Sequence, residues 1–305
     1  MHRLQHISEW LILVSISIIL SSCLSKPIKP ERPVPGFTFA FLTDIHLEPE
    51  KNAIRGFQMA IDEVNKLSPD FVLTGGDLVF DAMNVKEKRA DSLFNIYIEA
   101  IRNLKVPFYN TIGNHDLFGI SGESGISTDN PMYGTKMYEA KLGKKYYSFE
   151  HKGWKFFVLR SVQITRDRQY TGAIDSAQMA WLREELASTD KSIPLVIVTH
   201  MPFMTSISQY KNGSMAANPD GLVVRNSKQV LDLFKQHNLK LVLQGHLHIV
   251  EDIYTHGIHF ITGGAVSANW WQGPLDGINE GFMLLSIKGD NISWNYIEYG
   301  WKAGK

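Results

Sequence analysis

Seven side chains able to grip metal ions, Asp44, His46, Asp77, Asn114, His200, His246 and His248, occupy five short segments far apart in the chain. Each segment ends an apolar run: "FTFAFLTDIH", "DFVLTGGD", "VPFYNTIGNHD", "PLVIVTH" and "LKLVLQGHLH". Loops at strand ends are where a rigid scaffold presents its chemistry. Taken singly, every fragment also has a plainer reading: Asn, Asp and Gly are common turn formers, Asp44 could cap a following helix, and alternate histidines can be structural. Taken together they share one chemistry, that of imidazole nitrogens, carboxylates and a carboxamide without a thiolate, which suits Mn, Fe or Zn. Seven donors are too many for one ion that must also admit a substrate. Two ions about 3.5 to 4 Å apart, bridged by a carboxylate, would use them all.

The elements that must position these residues follow from the pattern around them. From Phe37 onward, short apolar strands alternate with helical stretches, the signature of strand-and-crossover α/β architecture. Ile54, Phe57, Ile61 and Val64 recur at spacings of three and four, as one buried helix face does. A charged helix is expected around residues 86–104, and "YYSFE" and "WKFFVLRS" flank His151, Lys152 and Gly153 as a hairpin. "DSAQMAWLREELAS" reads as a helix capped by Asp175 or Ser176, and "QVLDLFKQH" as another. Four consecutive strands close the chain, and the long irregular stretches 117–140 and 201–225 are candidate rims or lids. Ligands of open α/β sheets bind beyond the carboxyl ends of the strands, so the five segments should meet at one edge.

Basic and acidic residues balance at 31 each, so no overall field attracts a nucleic-acid polymer, and no basic stripe interleaved with aromatics offers it a surface. The one cysteine excludes an internal disulfide. It closes the apolar run "WLILVSISIILSSC", which reads as a secretory signal over residues 1–22. "LSSC" resembles the bacterial lipobox, and the resemblance implies export, lipidation of Cys23 and anchoring to the cell envelope; an uncleaved anchor is the alternative. The proline-rich residues 23–36 then form an extended tether, and residues 37–305 form the domain.

Asp44-x-His46, Gly76-Asp77, Gly113-Asn114-His115-Asp116, His200 and Gly245-His246-x-His248 together resemble the calcineurin-like metallophosphoesterases over about residues 37–250. The resemblance implies a four-layer α/β/β/α sandwich with two mixed β-sheets. It places Asp44, His46 and His248 on one ion, Asn114, His200 and His246 on a second, and Asp77 between them. A hydroxide bridging the metals would attack a small phosphoester, while His115 contacts phosphate and assists the leaving oxygen. Asp116 would either orient the His115 ring or cap the next turn.

The compact core, with its "VTHMPF" and "GHLH" segments, resembles the cyclic-nucleotide phosphodiesterase branch more than the protein phosphatases, and that resemblance implies a diester; a phosphomonoesterase, or a surface protein holding metal without turnover, are the alternatives. "ITGGAVSANWWQGP" is the expected substrate rim. Gly263 and Gly264 would bring backbone near the metal edge, and Trp270 and Trp271 would either stack on a flat group or pack in the core. Arg160, where that branch often carries an acid, would either pair with a neighbouring carboxylate or reach a substrate phosphate. The remaining histidines read as surface or packing residues, His259 being the one most open to another role.

Overall fold

A computed structural model describes residues 36–304. The apolar run, Cys23 and the spacer before Gly36, on which the expected signal and lipid anchor rest, lie outside the described residues.

Phenylalanines alternate with Ala40 and Leu42 along strand β1 (Phe37–Leu42), so Phe37, Phe39 and Phe41 face one way and Ala40 and Leu42 the other. Both faces are buried, which makes β1 a central strand. Helix α1 (Ala53–Leu67) covers the second face with Phe57, Ala60, Ile61 and Val64. It leads to β2 (Phe71–Thr74), parallel to β1, and α2 (Glu87–Ile101) leads in turn to β3 (Phe108–Tyr109), parallel to β2. After α3 (Lys136–Leu142) comes the expected hairpin of β4 (Tyr147–His151) and β5 (Trp154–Val158). The strands β6 (Val162–Ile164) and β7 (Tyr170–Gly172) form a separate two-stranded excursion. Asp175 caps α4 (Ser176–Ala187), accepting from the Gln178 amide at 2.8 Å, one of the two expected capping residues. β8 (Pro194–Val198), α5 (Ile207–Asn212), α6 (Ser227–Phe234) and β9 (Asn238–Gln244) follow, then β10 (Glu251–Thr255), β11 (Ile258–Thr262), β12 (Gly281–Lys288) and β13 (Asn291–Glu298).

These strands make a five-stranded sheet, β13-β12-β1-β2-β3, and a six-stranded sheet, β10-β11-β9-β8-β5-β4. Each is mixed: the central strands run parallel, and β12, β13, β4 and β10 run antiparallel to their neighbours. The sheets face each other through aromatic side chains. Phe39 stacks on Phe71 at 5.0 Å, and Phe156 of the other sheet meets both edge-on at 5.8 and 5.5 Å. The outer faces are covered by α1 with α2 on one sheet and α4 with α6 on the other, where Phe157 meets Phe234 at 5.5 Å. The result is the expected four-layer α/β/β/α arrangement.

Four details differ from the sequence reading. Ile54, expected on the buried face of α1, lies in the first turn of that helix and is exposed. The four closing strands divide between the sheets, β10 and β11 extending one and β12 and β13 the other. The ladder of β3 is only two residues long, because beyond it the Thr111 amide donates to the Thr74 side chain at 2.9 Å rather than to a strand partner. The β6–β7 excursion was not anticipated, since "VQITRDRQYTG" lacks the regular alternation of a hairpin.

Candidate active site

The segments following β1, β2, β3, β8 and β9 meet at the carboxyl ends of these parallel strands, where the sequence placed them. Ligand atoms come within 4.8 Å of one another inside each of three groups: Asp44 with His46 and His248, His46 with Asp77 and His115, and Asp77 with His200 and His246. Asn114 joins the last group through Oδ1, 2.9 Å from His200 Nε2.

The backbone is bent to deliver them. Asp44, His46, Asp77, His246 and His248 all have left-handed φ, between 46° and 70°. Such conformations cost about 1–3 kcal/mol each for residues other than glycine, and they persist where the surroundings over-determine them. The two histidines of "GHLH" are therefore on a turn past β9, not alternating on a strand, and they reach two different corners of the site. Glycine is obligatory beside them: a Cβ at Gly113 would lie 2.1 Å from Asp77 Oδ1.

Hydrogen bonds fix which ring nitrogen faces the centre. A carbonyl only accepts, so His200 Nδ1–H donates to Gly75 at 2.8 Å, His248 Nδ1–H to Ala268 at 2.6 Å, and His246 Nε2–H to Gly221 at 2.9 Å. The opposite nitrogens converge. His248 Nε2 stands 3.1 Å from His46 Nε2, and His246 Nδ1 stands 3.2 Å from His200 Nε2. Asp77 lies between the two groups, its Oδ2 3.2 Å from His200 Nε2 and 3.7 Å from His46 Nε2, while Oδ1 accepts the His115 amide at 2.8 Å. The Asp44 carboxylate is held by the His246 amide at 3.0 Å and the Thr43 hydroxyl at 2.6 Å.

This is an acceptor-rich pocket, and it needs positive charge. Burial alone would lower the His200 pKa, but the charge of Asp77 and the hydrogen bond to it, helped by Asp44, raise it to about 9. Burial pushes Asp77 upward, yet the neighbouring rings of His200 and His115 hold it well below the ordinary carboxylate range. His246 falls to about 3 through burial and the charge on His200, and His46 is lowered by burial and by His115. Burial raises Asp44 against the pull of His248 and His200. The buried Nδ1 of His46 has no partner among the described residues. Four imidazoles, two carboxylates and a carboxamide, nearly all buried and converging on shared space, fit a pair of divalent ions of the Mn, Fe or Zn type.

Around this centre the expected rim is only partly present. Half-buried Trp270 lies against the first group, its ring 4.5 Å from the His248 ring and 5.8 Å from that of His46. Trp271 is core: it is 1% exposed, donates its indole N–H to the carbonyls of Ile45 and His46 at 3.0 Å, and meets Trp301 edge-on at 5.3 Å. Gly264 answers to Tyr296, whose ring would be 2.6 Å from a Cβ there, and not to the metal edge. Arg160 is likewise no rim residue. Its guanidinium is spent on Asp175 and on the Val162 carbonyl, tying the end of β5 to the cap of α4.

His115 is half-buried, edge-on to His46 at 4.7 Å, and its Nδ1–H donates to the Phe80 carbonyl at 2.7 Å, leaving Nε2 free. Asp116 does not orient that ring. One oxygen accepts the amides of Leu78 and Val79 at 2.9 and 3.2 Å and the other that of Gly113 at 2.8 Å, so the carboxylate pins the β2 and β3 loops together. Burial and the charge of Asp77 raise its pKa to about 7 against those amides. His259 is a surface residue paired with Asp252 at 3.0 Å. Sequence reasoning missed the orienting carbonyls of Gly75, Phe80, Gly221 and Ala268, which carry no side-chain signal. It also missed Tyr170, edge-on to His246 at 6.0 Å, whose pKa is raised by burial and by the charge of Asp77.

A family model described as calcineurin-like phosphoesterase matches residues 37–250. A protein of Xenorhabdus bovienii named probable cyclic nucleotide phosphodiesterase is 20% identical over 246 residues, 76% of this chain and 87% of its own length. The manganese-dependent ADP-ribose/CDP-alcohol diphosphatase of Xenopus laevis is 21% identical over 307 residues, 76% of this chain and 81% of that protein. Among solved structures, a dimetal phosphatase from Danio rerio shares the fold with a TM-score of 0.57 at 16% identity, covering 88% of this chain and all (100%) of that one. With the match spanning the strands that carry every predicted ligand, the chain belongs to the calcineurin-like phosphoesterase family.

Proposed function

We propose that this phosphoric ester hydrolase cleaves small phosphodiesters at two transition-metal ions, Mn, Fe or Zn, with Asp44, His46 and His248 on one, Asn114, His200 and His246 on the other, and Asp77 shared. The observation that carries the reading is the position of Asp77 Oδ2, within 3.7 Å of both His46 and His200 nitrogens and so at the junction of the two groups. The bound ions would lower the pKa of a coordinated water and neutralise charge on the phosphoryl oxygens. The chain's own part is to hold and to donate. The Phe80 carbonyl fixes the His115 tautomer, so the protonated ring has only its Nε2–H to give, and it gives it to the departing oxygen. Trp270, lying beside His248, offers a platform for a flat group on the ester. The diester preference draws on the X. bovienii and X. laevis relatives, whose names specify a cyclic nucleotide and diphosphate linkages.

The test is hydrolysis of an aryl phosphodiester and an aryl phosphomonoester by metal-free protein and by protein loaded with Mn, Fe or Zn. Metal-dependent turnover favouring the diester is expected; turnover of neither by any loaded form overturns the reading.

Metal uptake should be proton-linked. In the metal-free protein His200 stays protonated up to about pH 9, whereas a metal ligand must be neutral, so loading at pH 7 displaces its Nε2 proton to solvent. About one proton should be released per chain at pH 7, falling toward zero above pH 9, and apparent affinity should rise with pH across that interval. Calorimetry in buffers of different ionisation enthalpy measures this; uptake without proton release at pH 7 contradicts it.

The same reading has the chain exported and held at the bacterial envelope by lipid on Cys23, supported by the apolar run ending in "LSSC" and the proline-rich spacer. Labelling with a radioactive fatty acid should mark the parent and not Cys23→Ala; equal labelling of both sinks it.

A further inference from the structure

The phosphodiesterase reading uses His115 and Trp270, both beside His46, and leaves the opposite side of the centre, at His246, without a substrate contact. Tyr170 begins β7, half-buried and edge-on to the His246 ring at 6.0 Å, and its hydroxyl has no hydrogen-bond partner among the described residues. The charge of Asp77, the shared carboxylate, acts on that hydroxyl, which places it within electrostatic reach of the centre.

The hairpin that carries Tyr170 is braced on both sides. Arg168, two residues before, donates to the carbonyls of Gly119, Ile120, Ser121 and Ile126 at 2.8–3.0 Å, gathering the first long irregular stretch onto β6–β7. On the other side Gly172 bridges Val224, the Arg225 amide donates to the Gly172 carbonyl at 3.0 Å, and its guanidinium donates to Thr171 at 2.6 Å. This second stretch also holds Gly221, whose carbonyl accepts from His246. A surface excursion with no share in either large sheet is thus locked to both loops and to a predicted ligand, while the hydroxyl at its tip is left free. Such rigidity costs chain entropy, and it fixes the Tyr170 ring beside His246 with a hydroxyl that has no partner among the described residues.

We propose that Tyr170 is a substrate-contacting residue: its hydroxyl donates a hydrogen bond to a non-bridging phosphoryl oxygen on the His246 side of the centre. The inference rests on the phosphoesterase reading of the same site and adds a contact on the side away from His115. A neutral donor to an anionic oxygen strengthens as charge accumulates during attack, so its loss should fall on both kcat and phosphate binding.

The test is Tyr170→Phe, which keeps the ring against His246 and removes only the hydroxyl. With metal content equal to the parent's, kcat/KM for the diester should fall about ten- to hundredfold, the scale of a hydrogen bond to a charged group. Binding of inorganic phosphate to the metal-loaded protein, followed by calorimetry, should weaken by a similar factor. Parental phosphate affinity in the variant overturns the proposal whatever the rate does. The two readings fail separately: a parent that cleaves no phosphoester sinks the proposed function, while phosphate binding still reports on Tyr170.

Discussion

Asp77→Ala is expected to lose metal binding and turnover together, with kcat/KM down by at least about a thousandfold, the scale of removing a principal electrostatic stabiliser. The side chain has two separate duties. Its Oδ2 stands 3.7 Å from His46 Nε2 and 3.2 Å from His200 Nε2, one ring from each ligand group, and its Oδ1 accepts the His115 amide. Without the carboxylate, the two ions would have no common ligand, and the main charge that keeps His200 protonated up to about pH 9 would be gone. Burial would then favour neutral His200, leaving the metal-free variant folded but with a weaker pull on cations. Rate assays with metal analysis of the dialysed protein check this, and a variant that keeps parental metal content and rate would contradict the bridging role.

His115→Ala should separate the two properties that Asp77→Ala removes together. The ring contributes a free Nε2, while its backbone amide, the part bonded to Asp77, remains in the variant. Metal content should therefore stay at the parental level. Turnover of an alkyl phosphodiester should drop about 10²- to 10⁴-fold, the range of general acid catalysis, and that of an aryl diester much less because a good leaving group needs little proton assistance. Equal losses on both substrates would show the ring acting on the phosphoryl group or the metals instead of the leaving oxygen.

What could be read from the sequence divides along a physical line. The ligand set was legible because each member combines a distinctive side chain with an apolar strand before it, and both signals are local. Alternation through "FTFAFL" and "LKLVLQ" announced buried strands, so their ends could be located to within a residue or two. Partner choice was not legible in the same way. The sequence left Arg160 to pair with a neighbouring carboxylate or reach substrate, and Asp116 to orient His115 or cap a turn; the arginine takes the first course, with Asp175, and the carboxylate takes neither, holding three backbone amides that only the fold brings near. Adjacent tryptophans gave one signal for two fates: left-handed φ at both residues turns Trp270 toward the histidines and Trp271 into the core. Tyr170 had no signal at all, since its position depends on Arg168 and Arg225 cross-linking loops distant in sequence.

The account stands on two ions sharing Asp77, and the most direct measurement is anomalous diffraction from a crystal of the protein grown with Mn. Two peaks about 3.5 to 4 Å apart are predicted, with the Asp77 carboxylate between them. A single peak, or metal bound only away from these side chains, would contradict it.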